Sequence, residues 1–523
     1  MGQVSLLRVL HEEAVGVIGD TGMDGINPKT VLDCFRYSLF PATPEHTLVD
    51  YDWATHACNY WICDGILGDE KAWDIGNALY GVVPWLDNST DWLLARCVVD
   101  QKKKGWYSIK LTTHDISSVP HNASSYFLTF KGHCPLNVHN DLFQLASNNL
   151  RVLMLCNCSF DFESPPFQCC HNLRFLWLDH CANTGKKEQS GVPIFLNLMV
   201  FDSRFTYWVL FPQMVERMTN LRELNTKGVS WKTMSHACRK LHKLHKLRVT
   251  ESPDVVTVDS CSVVDMMNLE LLDLSGNTHM ESLPALSSAR CLKMLVLDGC
   301  SSLENIVLDM ERAPPLLESF SFDGYGPTKN WTHTIHLPQK ESRLKSRIDS
   351  IEIAQVTNIS LRGCGRLQNI FLHALPNLEE LDLSGTSIRT LDLGAMDIAY
   401  CGNLRHVFPL DNKYPREISP IQSGVTFLHL KQIKLYHLHK LEQICETKSI
   451  APSLQTIGLR DCWALRRLPA VAREGPKPVV DCEKDWWNKL EWDGLDAGHH
   501  PSLFETRHSA YYKKTLPRVS FLR

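Results

Sequence analysis

From residue 150 onward the chain repeats one pattern, L-x-x-L-x-L, at a nearly fixed interval, and no other feature limits the fold as tightly. Copies open at Leu150 (LRVLML), Leu173 (LRFLWL), Leu198 (LMVFDS), Leu221 (LRELNT), Leu244 (LHKLRV), Leu269 (LELLDL), Leu292 (LKMLVL), Leu317 (LESFSF), Val356 (VTNISL) and Leu378 (LEELDL). Weaker copies open at Leu404, Leu430 and Leu454. The twelve intervals run from 22 to 26 residues, except for one of 39. A short strand with three apolar positions on one face cannot bury that face alone, but stacked copies share a continuous core. The period therefore predicts a solenoid of parallel rungs.

Several copies place a small polar residue three positions after the last template residue: Cys158, Cys181, Asn277, Cys300, Cys364, Thr386 and Cys462. In a leucine-rich repeat this slot holds a buried ladder residue bonded to the neighbouring turn, which backbone groups removed from water require. The expected fold class is α/β, a leucine-rich-repeat solenoid of about 13 repeats preceded by a small winged-helix domain. Residues 121–149 are expected as a linker or first cap, 150–470 as the solenoid, and 471–523 as a C-terminal cap and tail. The long interval, 323–349, is polar with Gly and Pro at its start and is expected as an inserted loop.

Composition excludes several classes. A formal net charge of -4 over 523 residues gives no strong field for nucleic acid or an anionic membrane. No stretch reaches the roughly 20 apolar residues needed to span a bilayer. The N-terminal residues lack a basic region and apolar core of the secretory kind. With 19 cysteines, an odd number, a closed disulfide framework is not expected. The expectation is a cytoplasmic chain with reduced thiols. On that view the sequons at Asn88, Asn122, Asn157, Asn330 and Asn358 carry no glycan.

Residues 1–120 follow other rules. Asn27-Pro28 makes an N-cap and first helical position, and Val31, Leu32, Phe35 and Leu39 keep helical spacing. Trp53, Ala57, Tyr60 and Trp61 mark a second helix ending at Gly65, and Ala72, Ile75, Leu79, Val83 and Leu86 a third. LLARCVVD, a QKKKG turn and WYSIKL suggest a hairpin, so that three helices and a hairpin make a winged helix. This segment has 9 Lys or Arg against 16 Asp or Glu, a net of -7. That balance is wrong for a module that neutralises phosphates.

At these residues the chain resembles plant intracellular immune receptors of the nucleotide-binding leucine-rich-repeat class. CFRYSLFP (34–41) is similar to their first winged-helix signature, NYWICDGIL (59–67) to their tryptophan-containing helix, and THDI (113–116) to their M-H-D motif, with Thr113 in place of Met. EKDWWNKLEW (483–492) resembles the tail of monocot members that carry a coiled coil. The resemblance implies that His114 and Asp115 correspond to residues that contact bound ADP in full-length members. The sequence contains no G-x-x-x-x-G-K-[ST] loop, so no cofactor is expected for this chain itself, and a truncated member is the expected form.

Three classes of function follow. The first is a plant-defence protein whose repeat surface recognises a protein, in effector sensing or autoinhibition. The second is a generic repeat adaptor, such as the substrate receptor of a ubiquitin ligase, and an ADP-binding switch retained only in a full-length form is a further alternative. The third, an enzyme, is not expected. No G-x-S-x-G, H-E-x-x-H or kinase signature occurs, and Cys169-Cys170-His171 sits between repeats as a packed turn. The template puts alternate residues outside the core. Phe175, Trp177, Asp179, Glu223 and Arg248 are therefore expected as an exposed partner surface, continued by an acidic column of Asp273, Asp298, Asp323, Glu380 and Asp382 suited to a basic protein. The expected partner is a protein, either a nucleotide-binding module of the receptor itself or a pathogen or host protein.

Overall fold

The computed structural model describes residues 26–39, 53–68, 71–82, 105–185, 195–208, 217–230, 241–253, 266–283, 289–308, 314–324, 354–361, 364–373, 454–460, 462–472 and 476–508, with shorter stretches near 12–19, 286 and 375–444. The chain divides into two compact units. The first is Met1–Asp254, Asp265–Asp273 and Thr328–Pro338, and the second is Val255–Val264, Leu274–Pro327 and Gln339–Arg523.

The first unit opens with three helices, α1 (Pro28–Leu39), α2 (Trp53–Asp64) and α3 (Ala72–Val82). Asn27 caps α1, its side-chain oxygen accepting the Lys29 N–H at 2.8 Å. That satisfies one of the donors a helix start leaves orphaned. At the other end of α2, Gly65 has φ +90°, and the Arg151 guanidinium donates to the Asp64 carbonyl at 2.6 Å. The positive φ is what requires glycine here; a Cβ would also press on that guanidinium, at 2.8 Å, and push it off the Asp64 carbonyl.

Eight strands follow in one parallel sheet whose spatial order is chain order: β1 (Trp106–Leu111), β2 (Ser125–Phe130), β3 (Val152–Cys156), β4 (Phe175–Asp179), β5 (Val200–Arg204), β6 (Glu223–Lys227), β7 (Lys246–Thr250) and β8 (Leu271–Asp273). The template residues point into the core. Leu153, Leu176, Phe201, Leu224, Leu247 and Leu272 face each other across successive rungs, and all are buried.

Two expectations need correction here. Residues 121–149 are not a linker, because β2 is a fully buried rung pairing in parallel with β1 and β3. Its template reads Ala123-x-x-Tyr126-x-Leu128, so a search keyed on leucine passes over it. Nor is Trp106–Leu111 shown as the second strand of a winged-helix hairpin, since it is the sheet's first rung; the expected hairpin partner lies outside the described residues.

The rungs are tied by ladders at both ends. Before the strands, Asn149, Asn172, Asn197, Asn220 and Asn268 each donate a side-chain N–H to a carbonyl one rung earlier, at 2.7–3.0 Å. After the strands, Cys181 donates its thiol to the Leu155 carbonyl at 3.4 Å, as the ladder slot predicts, whereas Cys158 donates to the Cys156 carbonyl of its own turn. Between strand and slot the turns after β3 to β7 each pass through a left-handed residue: Asn157, His180, Phe205, Gly228 and Glu251, with φ between +46° and +65°. The N–H at four of these positions bonds a carbonyl on the next rung, as from His180 to Arg204 and from Gly228 to Thr250.

In the second unit, β9 (Met294–Val296), β11 (Ser319–Asp323) and β13 (Asn369–His373) pair in parallel. A separate sheet holds β10 (Asn305–Val307), β12 (Asn358–Ser360), β14 (Glu380–Asp382) and β16 (His406–Val407). A third holds β15 (Thr390–Leu393), β17 (Gln432–Tyr436), β18 (Thr456–Arg460), β19 (Val479–Asp481) and β20 (Glu505–Arg507). The copies at Val356, Leu378 and Leu404 therefore do not continue the rungs that run through Leu317. The rung paired with β11 is Asn369–His373, whose template begins at Leu367. L-x-x-L-x-L marks any strand with one buried face, and it cannot say which side of the solenoid that strand is on. The rungs also continue past residue 470 to Arg507, so 471–508 is array as much as cap. The short helix α4 (Lys484–Trp487) there buries Trp486, which donates to the carbonyls of Cys462 and Leu465 at 3.1 and 3.0 Å. Of the expected loop 323–349, only Asp323 and Gly324 fall among the described residues. Cys300 and Cys462 repeat the thiol ladder, to Leu274 at 3.1 Å and to Leu435 at 3.5 Å.

Candidate functional site

The site lies in the first unit, on the sheet face turned away from the leucine core. Register aligns two columns of side chains there. One runs Ser125, Val152, Phe175, Val200, Glu223, Lys246, Leu271, and the other Phe127, Met154, Trp177, Asp202, Asn225, Arg248, Asp273. One column is apolar from Val152 to Val200 and the other from Phe127 to Trp177, and both then turn polar, at Glu223 and Lys246 and at Asp202, Asn225, Arg248 and Asp273. A strand apolar on both faces must be covered on both. Here the cover is the chain's own helical segment. Tyr60 of α2 packs on Phe127 and Phe175, with ring centroids at 5.5 and 4.8 Å, and Tyr37 of α1 packs edge-on to Trp106 at 4.8 Å. Together Tyr37, Tyr60, Trp61, Phe175 and Trp177 form one cluster, each of them 1% exposed or less. Burying each such side chain contributes about 1.5–3 kcal/mol.

The expected exposed anchors are thus internal. Phe175, Trp177, Glu223 and Arg248 are all buried, and only Asp179 keeps partial exposure, beside His180 at 2.6 Å. The acidic column is corrected in the same way. Asp273, Asp298 and Asp323 are buried, and the Asp298 carboxylate accepts from the Ser321 hydroxyl and the Asp323 N–H. Buried in this way, the three acids form no charged stripe for a basic partner. Glu380 and Asp382 belong to β14, in a different sheet from Asp298 and Asp323.

Where the columns turn polar, α2 turns polar opposite them. His56 Nε2 lies 2.7 Å from Asp202 Oδ2, and Asn59 Nδ2 lies 3.0 Å from both His56 Nδ1 and Glu223 Oε2. A carboxylate only accepts, so the Asn59 nitrogen must face Glu223. The second hydrogen of that nitrogen then goes to His56 Nδ1, which places the ring's proton on Nε2, toward Asp202. Glu223 also accepts from Arg248 at 2.9 Å and from Asn225 at 2.8 Å, with Lys246 Nζ at 3.8 Å. Arg204 grips Asp202 through Nε and Nη2 and lies 4.4 Å above the Trp177 ring. Asp64 closes the other end of α2, accepting from Ser125 at 2.6 Å and from the Trp106 indole at 3.1 Å.

The electrostatics follow from this layout. Burial alone would raise the Glu223 carboxyl, but Lys246 and Arg248 overcome it and hold it far below the usual range. Asp202 is likewise penalised by burial and still held below its ordinary value by Arg204 and His56. Lys246 is lowered by burial, which Glu223 only partly offsets. The thiols of Cys58 and Cys63, on the same helix, are pushed up by burial, Cys58 to about 12. They are inert packing groups.

His114 and Asp115 lie on an exposed bend after β1, with the His114 ring 4.9 Å from Phe130. The structure does not bring them to the helix–sheet network. Beside α1 and α2 there is an open cleft of about 540 Å³, bordered by Lys29, Asp33, Trp106, Asn122 and Arg151, and neither residue lines it. No cluster of three or more metal-ligating side chains occurs among the described residues, and none of the described helices is long and apolar enough to cross a membrane. Sequence reasoning missed His56, Asn59, Asp202, Asn225 and Lys246. The signal was there: Val152, Met154, Phe175, Trp177 and Val200 are apolar at positions where a solvated face calls for polar residues.

No protein-family model matches the chain. It is similar to the disease resistance protein RRS1 of Arabidopsis thaliana, 22% identical over 329 residues, which is 58% of this chain and 24% of that protein. It is also similar to the disease resistance protein RPP2A of the same plant, 24% identical over 234 residues, 44% of this chain and 14% of that one. The chain thus spans about a quarter or less of the length of the curated relatives it matches. Among solved structures, a leucine-rich-repeat protein of Leptospira interrogans aligns over 78% of this chain and 97% of its own, at 16% identity and a TM-score of 0.31. An internalin of Listeria monocytogenes aligns over 65% of this chain and 90% of its own, at 12% identity and a TM-score of 0.27. The relatives are plant disease resistance proteins, and the fold rests on the strand pairing described above.

Proposed function

We propose that this chain is a cytoplasmic plant-defence protein that recognises a protein partner through its leucine-rich-repeat array, without catalysing a reaction. In this reading the helices α1 to α3 cover the outer face of the first rungs and withhold it from other proteins. The observation that carries it is the buried network joining His56 and Asn59 of α2 to Asp202 and Glu223 of the sheet. A merely adhesive cover would need only the apolar half. The similarity to disease resistance proteins supports the defence role, and the resemblance of the helices to those preceding the repeats in plant immune receptors supports autoinhibition or effector sensing as its form. His114 and Asp115 would meet ADP only in a protein that also supplies a phosphate loop, and this chain alone is expected to give no heat of binding with ADP or ATP.

The test uses the full chain expressed in leaf tissue beside Asn59→Asp, which sets a third carboxylate against Glu223 and Asp202. Hydrogen exchange should show α2 and β4 opening in the variant, and the defence response should change relative to wild type. If α2 opens and the response stays that of the wild type, the face has no role in defence. If α2 does not open, the network does not hold the cover.

A further inference from the structure

Among the described residues most cysteines are buried in structural places: Cys181, Cys300 and Cys462 donate to carbonyls on neighbouring rungs, and Cys34, Cys58 and Cys63 are packed among the helices. Cys169 and Cys170 differ. They sit side by side on the turn between the short strand Cys158–Phe160 and β4, and their sulfurs are 4.0 Å apart. Cys169 is half-buried and its thiol also reaches the Pro166 carbonyl, at 3.8 Å, whereas Cys170 is 2% exposed. One thiol therefore meets solvent, and the other lies behind it, sulfur against sulfur.

We propose that Cys169 and Cys170 form a reversible dithiol–disulfide site that responds to a peroxide. Cys169 attacks the peroxide oxygen, giving a sulfenic acid and releasing water. Cys170 then attacks the sulfenic sulfur, its thiol proton leaves with the displaced hydroxide as a second water, and the S–S bond forms. Overall, two thiols are oxidised by two electrons and one hydrogen peroxide is reduced to two waters. The order of events follows from burial, which raises the Cys170 thiol well above its ordinary value and leaves the accessible Cys169 to react first.

Reversibility follows from geometry. Adjacent residues hold their Cα atoms about 3.8 Å apart, less than the roughly 4.4 Å at which ordinary bridges begin. A bond made there is strained and easily reduced, which suits a signal and not a staple. The turn is also mechanically connected. The Cys170 N–H bonds the Phe167 carbonyl, and the Phe167 ring packs on Phe143, Phe160, Phe195 and Trp208, at centroid distances of 5.4–6.3 Å. Drawing the two sulfurs from 4.0 Å to bonding distance re-forms a turn from which that aromatic column hangs.

The test treats the folded full chain with dilute hydrogen peroxide, blocks remaining thiols, and sequences the tryptic peptide 152–174 by mass spectrometry. That peptide carries Cys156 and Cys158 as internal controls. The expected product has lost the mass of two hydrogens, with the loss on 169–170, and dithiothreitol restores it. In Cys170→Ser the sulfenic acid should persist on Cys169 and be trapped by a 1,3-dicarbonyl probe, while Cys169→Ser should show neither product. Bridging at Cys156 and Cys158, over-oxidation of Cys169 without a bridge in wild type, or no change at a peroxide dose that oxidises an added small thiol would each overturn the proposal.

Discussion

Replacing Glu223 by alanine should cost this protein more than almost any other single truncation on the sheet. Its carboxylate is 1% exposed and collects three N–H donors, from Arg248, Asn225 and Asn59, with Lys246 at 3.8 Å. Arg248 is fully buried and Lys246 nearly so, hence the alanine variant strands two cations away from water. Breaking a buried pair in this way costs about 3–5 kcal/mol, because the surviving charge keeps its desolvation penalty and loses its compensation. For a unit of this size each kcal/mol lowers the melting temperature by about 2–4 °C, so a drop of roughly 6–20 °C is expected. Urea unfolding followed by tryptophan fluorescence suits the purpose, since Trp61 and Trp177 lie in the adjoining cluster. The double variant Glu223→Met with Arg248→Met should recover part of the loss, as apolar groups of similar volume need no partners. A loss below about 1 kcal/mol for Glu223→Ala, or a double variant worse than the single, would refute the reasoning.

Three further outcomes are expected. Asp202 and Glu223 ionise below their ordinary values when folded, so their contribution is complete above the unfolded values of about 3.9 and 4.3 and is lost as pH falls through the folded ones; the urea midpoint should decline below about pH 5, and less steeply in Glu223→Gln. Gly228→Ala should destabilise by about 1–2 kcal/mol in equilibrium unfolding, since φ is +65° and the new methyl meets the Phe205 ring, and an unchanged midpoint would show that the turn can rebuild itself. Thiol titration should find Cys158, Cys181, Cys300, Cys364 and Cys462 unreactive in the native chain and all reactive in guanidinium, whereas disulfides among them would contradict the ladder assignment.

Much of the array was legible because burial on one face writes the same three apolar positions into each turn. Leu153, Leu176, Leu224, Leu247 and Leu272 are where the template puts them. It failed where a rung uses other apolar residues, as with Tyr126 in β2, and where two sides of the solenoid carry the same pattern, as at Val356 and Leu378. The site was harder. Alternation identifies which residues leave the core, as it did for Phe175 and Trp177, but it does not say what lies above them. That depends on residues more than a hundred positions away, such as His56 against Asp202. The helices themselves were visible from Asn27-Pro28 and from the stripe Ala57, Tyr60, Trp61, and their docking was written only in the excess of apolar residues on the outward columns. The acids Asp273, Asp298 and Asp323 show the converse, because a charge in the sequence need not be a charge in solvent.

The asparagine ladder gives the first unit a tensile side. Pulled lengthwise, rungs joined one to the next carry the same load, and the array parts at its weakest junction. Asparagine spans most junctions, but before Leu244 the position is Lys243, whose ammonium reaches the Asn220 side chain at 3.0 Å in an exposed contact instead of gripping a backbone carbonyl. That same junction, β6 to β7, is crossed on the outer face by the Arg248–Glu223 ion pair and by Arg248 to Asn225 at 3.0 Å. The fastening missing from one edge is supplied on the other. Under force the first unit should therefore hold at β6–β7 while Glu223 is intact, and in the alanine variant it should tear there first.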